Sequence, residues 1–230
     1  MIRDKRKDET YFSSTIQRIH TKNEEHIKFI EKGNARPIAY FMAATGLSVE
    51  FSWRYSTGED LKSLKNLYDI ILDYYIASIE NNDIYNVTLK VISVGILLEA
   101  DHKKLNQLYE LIQKYKQNDL IFSSLLHAVL HTKEIYPKLR FKKSKSLLQL
   151  EKIFTSNKED AQSLMKEYLE KLWYTKENLG DDYDSNRHNK DNCASYWSWE
   201  SAAIVKVLNL DDSSFKDNEF YPYDLAHWNG

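Results

Sequence analysis

The stretch "EDLKSLKNLYDIILDYYIASI", residues 59–79, decides the fold class of this chain. Its apolar residues recur every three or four positions and form one stripe, made of Leu61, Leu64, Tyr68, Ile71 and Tyr75. A period of 3.6 residues places such a stripe on one face of an α-helix. Ser56 and Glu59 have the spacing of a capping box, so they signal the start of this helix.

The same periodicity continues along most of the chain. Further stripes run through Ile84, Val87, Val91, Val94 and Leu98, through Leu105, Leu108, Leu111, Ile112 and Tyr115, from Leu120 to Ile135, and through Ala161, Leu164, Tyr168, Leu172 and Trp173. Links such as "ENND" and "EADHK" are too short for the crossovers that join parallel strands. The sequence therefore predicts an all-α fold of stacked antiparallel helical hairpins in two packed regions.

A change of composition marks the middle of the chain. Pro137 should end one helix, and "KLRFKKSKS", residues 138–146, then carries five basic residues and no acid. We interpret 138–146 as a basic connector between an N-terminal helical region, residues 1–137, and a C-terminal one, residues 147–230. Because the sequence pI is about 6.4, we expect this connector to be solvated and not to bind nucleic acid directly.

The overall composition is that of a soluble globular protein, with 42% hydrophobic and 29% charged residues. The longest apolar run, around "VISVGILLEA", is too short to cross a bilayer, so no membrane partner is expected. The start, "MIRDKRKDET", lacks the apolar stretch of a secretory signal, which favours a cytoplasmic location. The single cysteine, Cys193, agrees with a reducing compartment.

Glu200 occupies an unusual position for a carboxylate. On a helical wheel it falls between Tyr196, Ile204 and Val207, in the middle of the apolar face. A carboxylate withdrawn from water must find hydrogen-bond donors or take up a proton. We interpret Glu200 as a structural carboxylate, held by donors such as Tyr hydroxyls, Trp indoles or the basic side chains of residues 187–190.

The last quarter of the chain is acidic. Between Glu177 and Asp224 eleven acids face four bases, a local charge of −7 in a chain whose net charge is −2. Such a surface attracts a basic partner and speeds its encounter. The cluster as a whole carries this interpretation, because any single acid is more often simply solvated.

The segment "WYTKENLGDDYDSNRHNKDNCASYWSWESAAIVKVLNLDDSSFKDNEFYPYDL", residues 173–225, resembles the C-terminal signature of the PoNi-type immunity proteins. The resemblance lies in an ordered set of motifs: "WY" at a helix end, a polar loop containing His, "YW-aromatic-E-A-A", "L-x-x-D-D-S" and "YPYDL". The stretch "RYSTGEDLKSLKNLY", residues 54–68, resembles the family's N-terminal region. The resemblance implies a helical, non-enzymatic antidote that binds and inactivates a cognate bacterial DNase toxin.

The acidic segment supplies candidate toxin-binding residues under this interpretation. A DNase must hold a polyanion, so an inhibitor that occludes its cleft should present acids. The candidates are Asp181, Asp182, Asp184, Asp211 and Asp212, and no cofactor or metal is expected. Affinity should come from a few aromatic anchors, for which the chain offers 16 Tyr and 5 Trp residues.

Other chemistries fit less well. His127 and His131 have the i, i+4 spacing of zinc ligands, but Ala128 replaces the glutamate that a metalloprotease requires. The run "RHNKDN", residues 187–192, has the His and Asn of some nuclease centres. It has no β-hairpin context and no second ligand cluster, so we interpret it as a polar loop. The alternative function is a metal-dependent hydrolase or nuclease that uses Glu200, His188 and the Asp181–Asp184 cluster.

Overall fold

The computed structural model describes residues 2–6, 8–81, 84–180, 183 and 196–230, and these residues contain helices and turns but no strand. The α-helices are α1 Glu9–Glu31, α2 Pro37–Ser56, α3 Leu61–Ser78, α4 Tyr85–Leu97, α5 His102–Lys114, α6 Leu120–Leu130, α7 Lys145–Thr155, α8 Lys158–Glu167, α9 Lys176–Leu179, α10 Trp199–Leu208 and α11 Tyr223–Ala226. A 3₁₀-helix, Ile79–Asn81, follows α3, and a π-helix, Tyr168–Trp173, follows α8. The predicted all-α class is confirmed.

The chain divides into two compact units. The first comprises Met1–Val91, Leu98–Gln117 and Asn229–Gly230, and the second comprises Ile92–Leu97 and Asn118–Trp228. Helix α4 therefore contributes its first part to one unit and its last part to the other. Residues 138–146, which the sequence predicts as a connector between two regions, belong to the second unit.

Helices α1 and α2 pack antiparallel in the first unit. Near one end of the pair the Phe12 ring lies 5.7 Å from the Trp53 ring. Further along, Asn23 Nδ2 donates to the buried Glu50 carboxylate across 2.8 Å. A Cβ at Gly46 would lie 2.2 Å from Asn23 Oδ1, so the close approach of these two helices requires glycine at this position.

Helix α3 buries the predicted stripe, but its cap differs from the prediction. Asp60 is the N-cap, and its side chain accepts from the backbone N–H groups of Lys62 and Ser63. Ser56 is instead the last residue of α2 and donates its hydroxyl to the Ser52 carbonyl. The predicted Ser56–Glu59 capping box is therefore wrong, because α2 extends through Ser56 and leaves Asp60 as the first free capping side chain.

A half-buried lysine connects α4 to α2 within the first unit. Lys90 Nζ donates to the Ser48 carbonyl across 2.7 Å and to the Ser52 hydroxyl across 2.6 Å. Burial lowers the pKa of the Lys90 amine to about 7, because a charged ammonium is costly away from water. This polar contact thus binds two helices through hydrogen bonds in a largely apolar environment.

Helix α6 is shorter than the sequence predicts. It ends at Leu130, because His131 adopts the left-handed conformation with φ of 52° and its N–H donates to the His127 carbonyl. The predicted continuation to Ile135 is wrong, and residues 132–144 form an irregular connection to α7. No helix in the described ranges is both long and apolar enough to cross a bilayer.

Candidate functional site: the anchor of the acidic segment

The π-helix and helix α10 meet at Glu200 in the second unit. Only 4% of the Glu200 surface is exposed, and its Oε1 accepts from the Tyr168 hydroxyl across 2.6 Å and from the Ser198 hydroxyl across 2.7 Å. The burial and the two side-chain donors predicted for Glu200 are both observed. Its position in the first turn of α10 also places the carboxylate where the helix dipole favours negative charge.

Burial dominates the electrostatics of this carboxyl. It raises the pKa of Glu200, and the hydrogen bonds from Tyr168 and Ser198 oppose part of that rise. Both donors are neutral hydroxyls, whereas the sequence analysis also allowed basic side chains of residues 187–190, which lie outside the described residues. The contacts on Glu200 are those of a structural group, since its carboxylate is engaged inside the unit and withdrawn from solvent.

One aromatic cluster joins Tyr174 to three rings of the acidic segment. We call Tyr174, Tyr183, Tyr196 and Phe220 the Tyr174 cluster. The Tyr174 ring stacks on Phe220 at 4.8 Å and 10°, meets Tyr196 edge-on at 5.1 Å and lies 5.0 Å from Tyr183. Aromatic pairs at these distances stabilise beyond their burial alone. Tyr183 and Tyr196 are thereby attached to the same ring.

Hydrogen bonds reinforce the cluster on the Tyr196 side. Trp173 Nε1 donates to the Tyr196 carbonyl across 2.7 Å, and the Ser198 N–H donates to the Phe220 carbonyl across 2.8 Å. Tyr168 and Trp173 are the first and last residues of the π-helix. Trp173 contacts Tyr196, which precedes α10, and Tyr168 contacts Glu200 in the first turn of α10. π-Helical turns are rare and occur often at functional sites, which directs attention to this anchor.

The two aspartates of the "DDS" motif have different environments. Asp212 is buried, its Oδ2 accepts from the Tyr221 hydroxyl across 2.8 Å, and His227 Nε2 lies 2.7 Å from the same oxygen. Asp211 is exposed and accepts from the Ser213 N–H, and hydrogen bonds from Ser213 hold the pKa of Asp211 below its usual value. Of these two candidates, Asp211 is the one whose carboxylate reaches the surface.

Other acids of the C-terminal segment are exposed, and the same stretch of sequence carries an exposed aromatic ring. Asp217, Glu219 and Asp224 are all exposed. Tyr223 is 40% exposed, and its ring lies 4.4 Å from the His227 ring. Tyr223 therefore offers an aromatic face to a partner within an acidic stretch of chain.

Four further predicted site residues lie outside the described residues: Asp181, Asp182, Asp184 and His188. Cys193 lies outside them as well. Within the described parts of the chain no group of three or more His, Cys, Asp or Glu side chains could hold a metal ion. His127 Nδ1 lies 2.8 Å from the Thr132 carbonyl oxygen, so that ring nitrogen is engaged inside the protein.

Sequence patterns did not reveal how the anchor is built. They place Tyr168 in an apolar stripe and Trp173 in that stripe and in the "WY" motif, without a partner for either, and they do not single out Tyr221 and His227 as partners of an aspartate. The usable signal is the ordered set of motifs itself. Each of "WY", "YW-aromatic-E", "DDS" and "YPYDL" supplies one partner to a contact with another motif of the set.

Two models of one protein family match the chain. The family model described as "PoNe immunity protein (PoNi), N-terminal" matches residues 3–110, and the one described as "PoNe immunity proteins (PoNi), C-terminal" matches residues 117–225. The chain belongs to the PoNi family of immunity proteins. The two matched regions meet between residues 110 and 117, close to the change of unit after Gln117.

The PoNi fold is also similar to a solved structure. The crystal structure of protein PA2201 from Pseudomonas aeruginosa has a TM-score of 0.74 with this chain and covers 98% of it and 89% of its own length, at 16% sequence identity. At this level of identity the likeness concerns the fold. None of the curated proteins compared with the chain is similar to it in sequence.

Proposed function

We propose that this chain is a cytoplasmic immunity protein that binds a cognate PoNe-type DNase toxin and inactivates it by occluding its active site. The observation that carries the proposal is membership of the PoNi family across both halves of the chain. It acts by binding and not by catalysis. The expected partner is one toxin. Because a DNase must hold a polyanion, we expect basic residues around its cleft.

The acidic segment of the second unit is the proposed toxin-facing surface. Asp211, Asp217, Glu219 and Asp224 are exposed there, and Asp181, Asp182 and Asp184 join them as candidates from the sequence. Acids on a partner of a basic cleft accelerate encounter and exclude wrong partners. The Tyr174 cluster supports this proposal, because contact with one ring holds the Tyr183 and Tyr196 side chains in place before binding and lowers the entropy that they lose when the toxin binds.

Tyr223 is the proposed anchor within this surface. Interface hot spots are enriched in Tyr, Trp and Arg, and Tyr223 is an exposed aromatic residue with a ring already held against His227. The buried Asp212 contacts both His227 and Tyr221, so it supports the anchor from inside. Asp212 thus serves binding indirectly, whereas Asp211 remains a candidate for direct contact.

The competing function is a metal-dependent hydrolase or nuclease that uses Glu200, His188 and the Asp181–Asp184 cluster. The burial of Glu200 argues against it, because a carboxylate with 4% exposure whose Oε1 accepts two hydroxyl hydrogen bonds is poorly placed to bind a metal or a substrate. The structural use of Glu200 fits the immunity proposal better.

The test is direct. The chain and the toxin encoded by the neighbouring gene are expressed together, purified by a tag on one partner, and assayed for cleavage of plasmid DNA with Mg²⁺. We expect co-purification and loss of nuclease activity at a one-to-one ratio. Cleavage of DNA by the purified chain alone, abolished in the Glu200→Gln variant, would establish the hydrolase alternative and overturn the proposal.

A further inference from the structure

The connection between α6 and α7 concentrates exposed apolar side chains. Of the ten large apolar residues that are exposed in the described part of the chain, three fall here: Ile135 at 44%, Tyr136 at 39% and Phe141 at 50%. Isolated exposed apolar residues are ordinary on protein surfaces, but a local concentration of them marks an interaction surface.

The same connection is strongly basic. We call residues 133–145 the basic loop. It contains one acid, Glu134, and six bases, which gives a local charge of +5; the bases are Lys133, Lys138, Arg140, Lys142, Lys143 and Lys145. All five lysines are exposed and Arg140 is half-buried, with its guanidinium 5.8 Å from the centre of the Phe141 ring. Charge and apolar surface therefore occur together.

The backbone of the basic loop is fixed by the start of α6. Asp119 is fully buried, and its carboxylate accepts from the Ile121 N–H and, with its other oxygen, from the Arg140 N–H across 2.8 Å. The Leu120 N–H donates to the Lys138 carbonyl across 2.9 Å. One aspartate thus caps the helix and holds the loop against it.

Two further features complete this attachment. The Tyr136 N–H donates to the Ser123 hydroxyl across 2.7 Å, and Leu139 is 95% buried although Lys138 and Phe141 nearby are exposed. The loop is therefore held by its backbone and by one buried side chain, while Ile135, Tyr136 and Phe141 stay outside. A preformed surface loses little entropy when it binds.

We propose that the basic loop docks on an anionic lipid bilayer, independently of toxin binding. Lysines near such a surface are attracted by its negative potential, and exposed aromatic and aliphatic side chains enter the headgroup boundary. The composition of the loop favours lipid over nucleic acid. Lysine outnumbers arginine, the residue preferred for bidentate phosphate recognition, and an aliphatic side chain, Ile135, is exposed beside the aromatic ones.

Co-sedimentation with vesicles tests the proposal. The full chain is mixed with vesicles of phosphatidylcholine alone or with about one-third phosphatidylglycerol, at low and high NaCl. We expect binding to the anionic vesicles at low salt, reduced about tenfold both by Ile135→Ser with Phe141→Ser and by Lys142→Glu with Lys143→Glu. The matched control is Phe29→Ser with Ile84→Ser, which removes apolar side chains of similar or greater exposure outside the loop. This variant should bind the vesicles like the wild type.

Each other outcome overturns the proposal. Failure of the wild type to bind anionic vesicles, or equal binding by the loop variants and the wild type, removes the basis for a lipid surface. Binding of a fluorescent single-stranded oligonucleotide without binding to vesicles would assign the loop to nucleic acid instead. Circular dichroism confirms that the compared variants are folded, and toxin inhibition measured in parallel separates this result from the proposed function.

Discussion

The Tyr168 hydroxyl donates to the Glu200 carboxylate across 2.6 Å, between the π-helix and the first turn of α10. This contact joins two elements that are adjacent in space but separated in sequence by residues 174–198. The Glu200 carboxyl is also withdrawn from water. Its contribution should therefore appear in the free energy of unfolding and in the pH dependence of that free energy.

Replacement of Glu200 by alanine should destabilise the protein. The hydroxyls of Tyr168 and Ser198 then lose their acceptor inside the second unit, which costs about 1–3 kcal/mol in the free energy of unfolding. Urea denaturation followed by circular dichroism measures the loss. Glu177→Ala, at an exposed position, is the control and should change stability little. Equal effects of the two substitutions would contradict the structural role of Glu200.

The contribution of Glu200 should fall as pH rises. Its pKa is raised in the folded state by burial, so the folded protein binds a proton more tightly than the unfolded chain does. The contribution is full below the unfolded pKa of about 4.3 and is lost as pH rises through the folded pKa. We expect the unfolding free energy of the wild type, relative to Glu200→Gln, to decrease over that window. A difference that stays constant from pH 4 to pH 8 would refute the shift.

Removal of the Tyr174 ring should weaken toxin binding more than it weakens the fold. Tyr174→Ala deletes the ring shared by Tyr183, Tyr196 and Phe220, so these side chains are less well fixed before binding and lose more entropy when the toxin binds. We therefore expect Kd to rise about tenfold. Tyr174→Phe keeps the ring and should bind like the wild type. The measurement is calorimetric titration with the toxin at a temperature where each variant is folded.

A ring pair in the first unit provides the matched control for this experiment. Tyr74 lies 5.9 Å from Tyr40, and Tyr74→Ala removes a comparable contact from an element that carries no candidate toxin residue. It should leave Kd unchanged. If Tyr74→Ala weakens binding as much as Tyr174→Ala does, the Tyr174 cluster has no special part in presenting the acidic segment.

Charge reversal of Asp181, Asp182 and Asp184 to lysine should slow association with the toxin. The loss should shrink as salt is raised, because exposed charges are screened beyond about 10 Å at 0.1 M ionic strength. Surface binding at two salt concentrations gives both rate constants. Reversal of the exposed Glu25, Glu80 and Glu110 of the first unit makes the same change in net charge and should slow association less. An on-rate unchanged by the first triple variant would direct the search to the N-terminal helices.

Tyr223→Ala should accelerate dissociation of the complex while leaving association nearly unchanged. A packed aromatic anchor contributes after docking, so its loss acts mainly on the off-rate. Tyr136→Ala is the matched control, since Tyr136 has nearly the same exposure, 39% against 40%, but lies on the basic loop. Identical off-rates for the Tyr223 variant and the wild type would exclude Tyr223 from the interface.

Local patterns in the sequence were sufficient for the helical class and for the burial of individual residues. The stripe through Leu64, Tyr68 and Tyr75 is buried as predicted, because helical periodicity is a property of neighbouring residues and needs no knowledge of the partner. Glu200 was placed in the apolar face by the same argument. Local patterns failed where two signals compete. Ser56 has the spacing of a cap for α3, but α2 is longer than expected and Ser56 is its last residue.

Only the tertiary structure decided which residues meet. Asp211 and Asp212 are indistinguishable in a charge count, yet one is exposed and the other is buried between Tyr221 and His227. The Tyr174 cluster likewise gathers rings from three separate stretches of chain. Periodicity predicts which face of a helix is buried. The residues that contact this face come from distant segments of the chain, and which residues these are depends on how the helices and turns pack around a shared core.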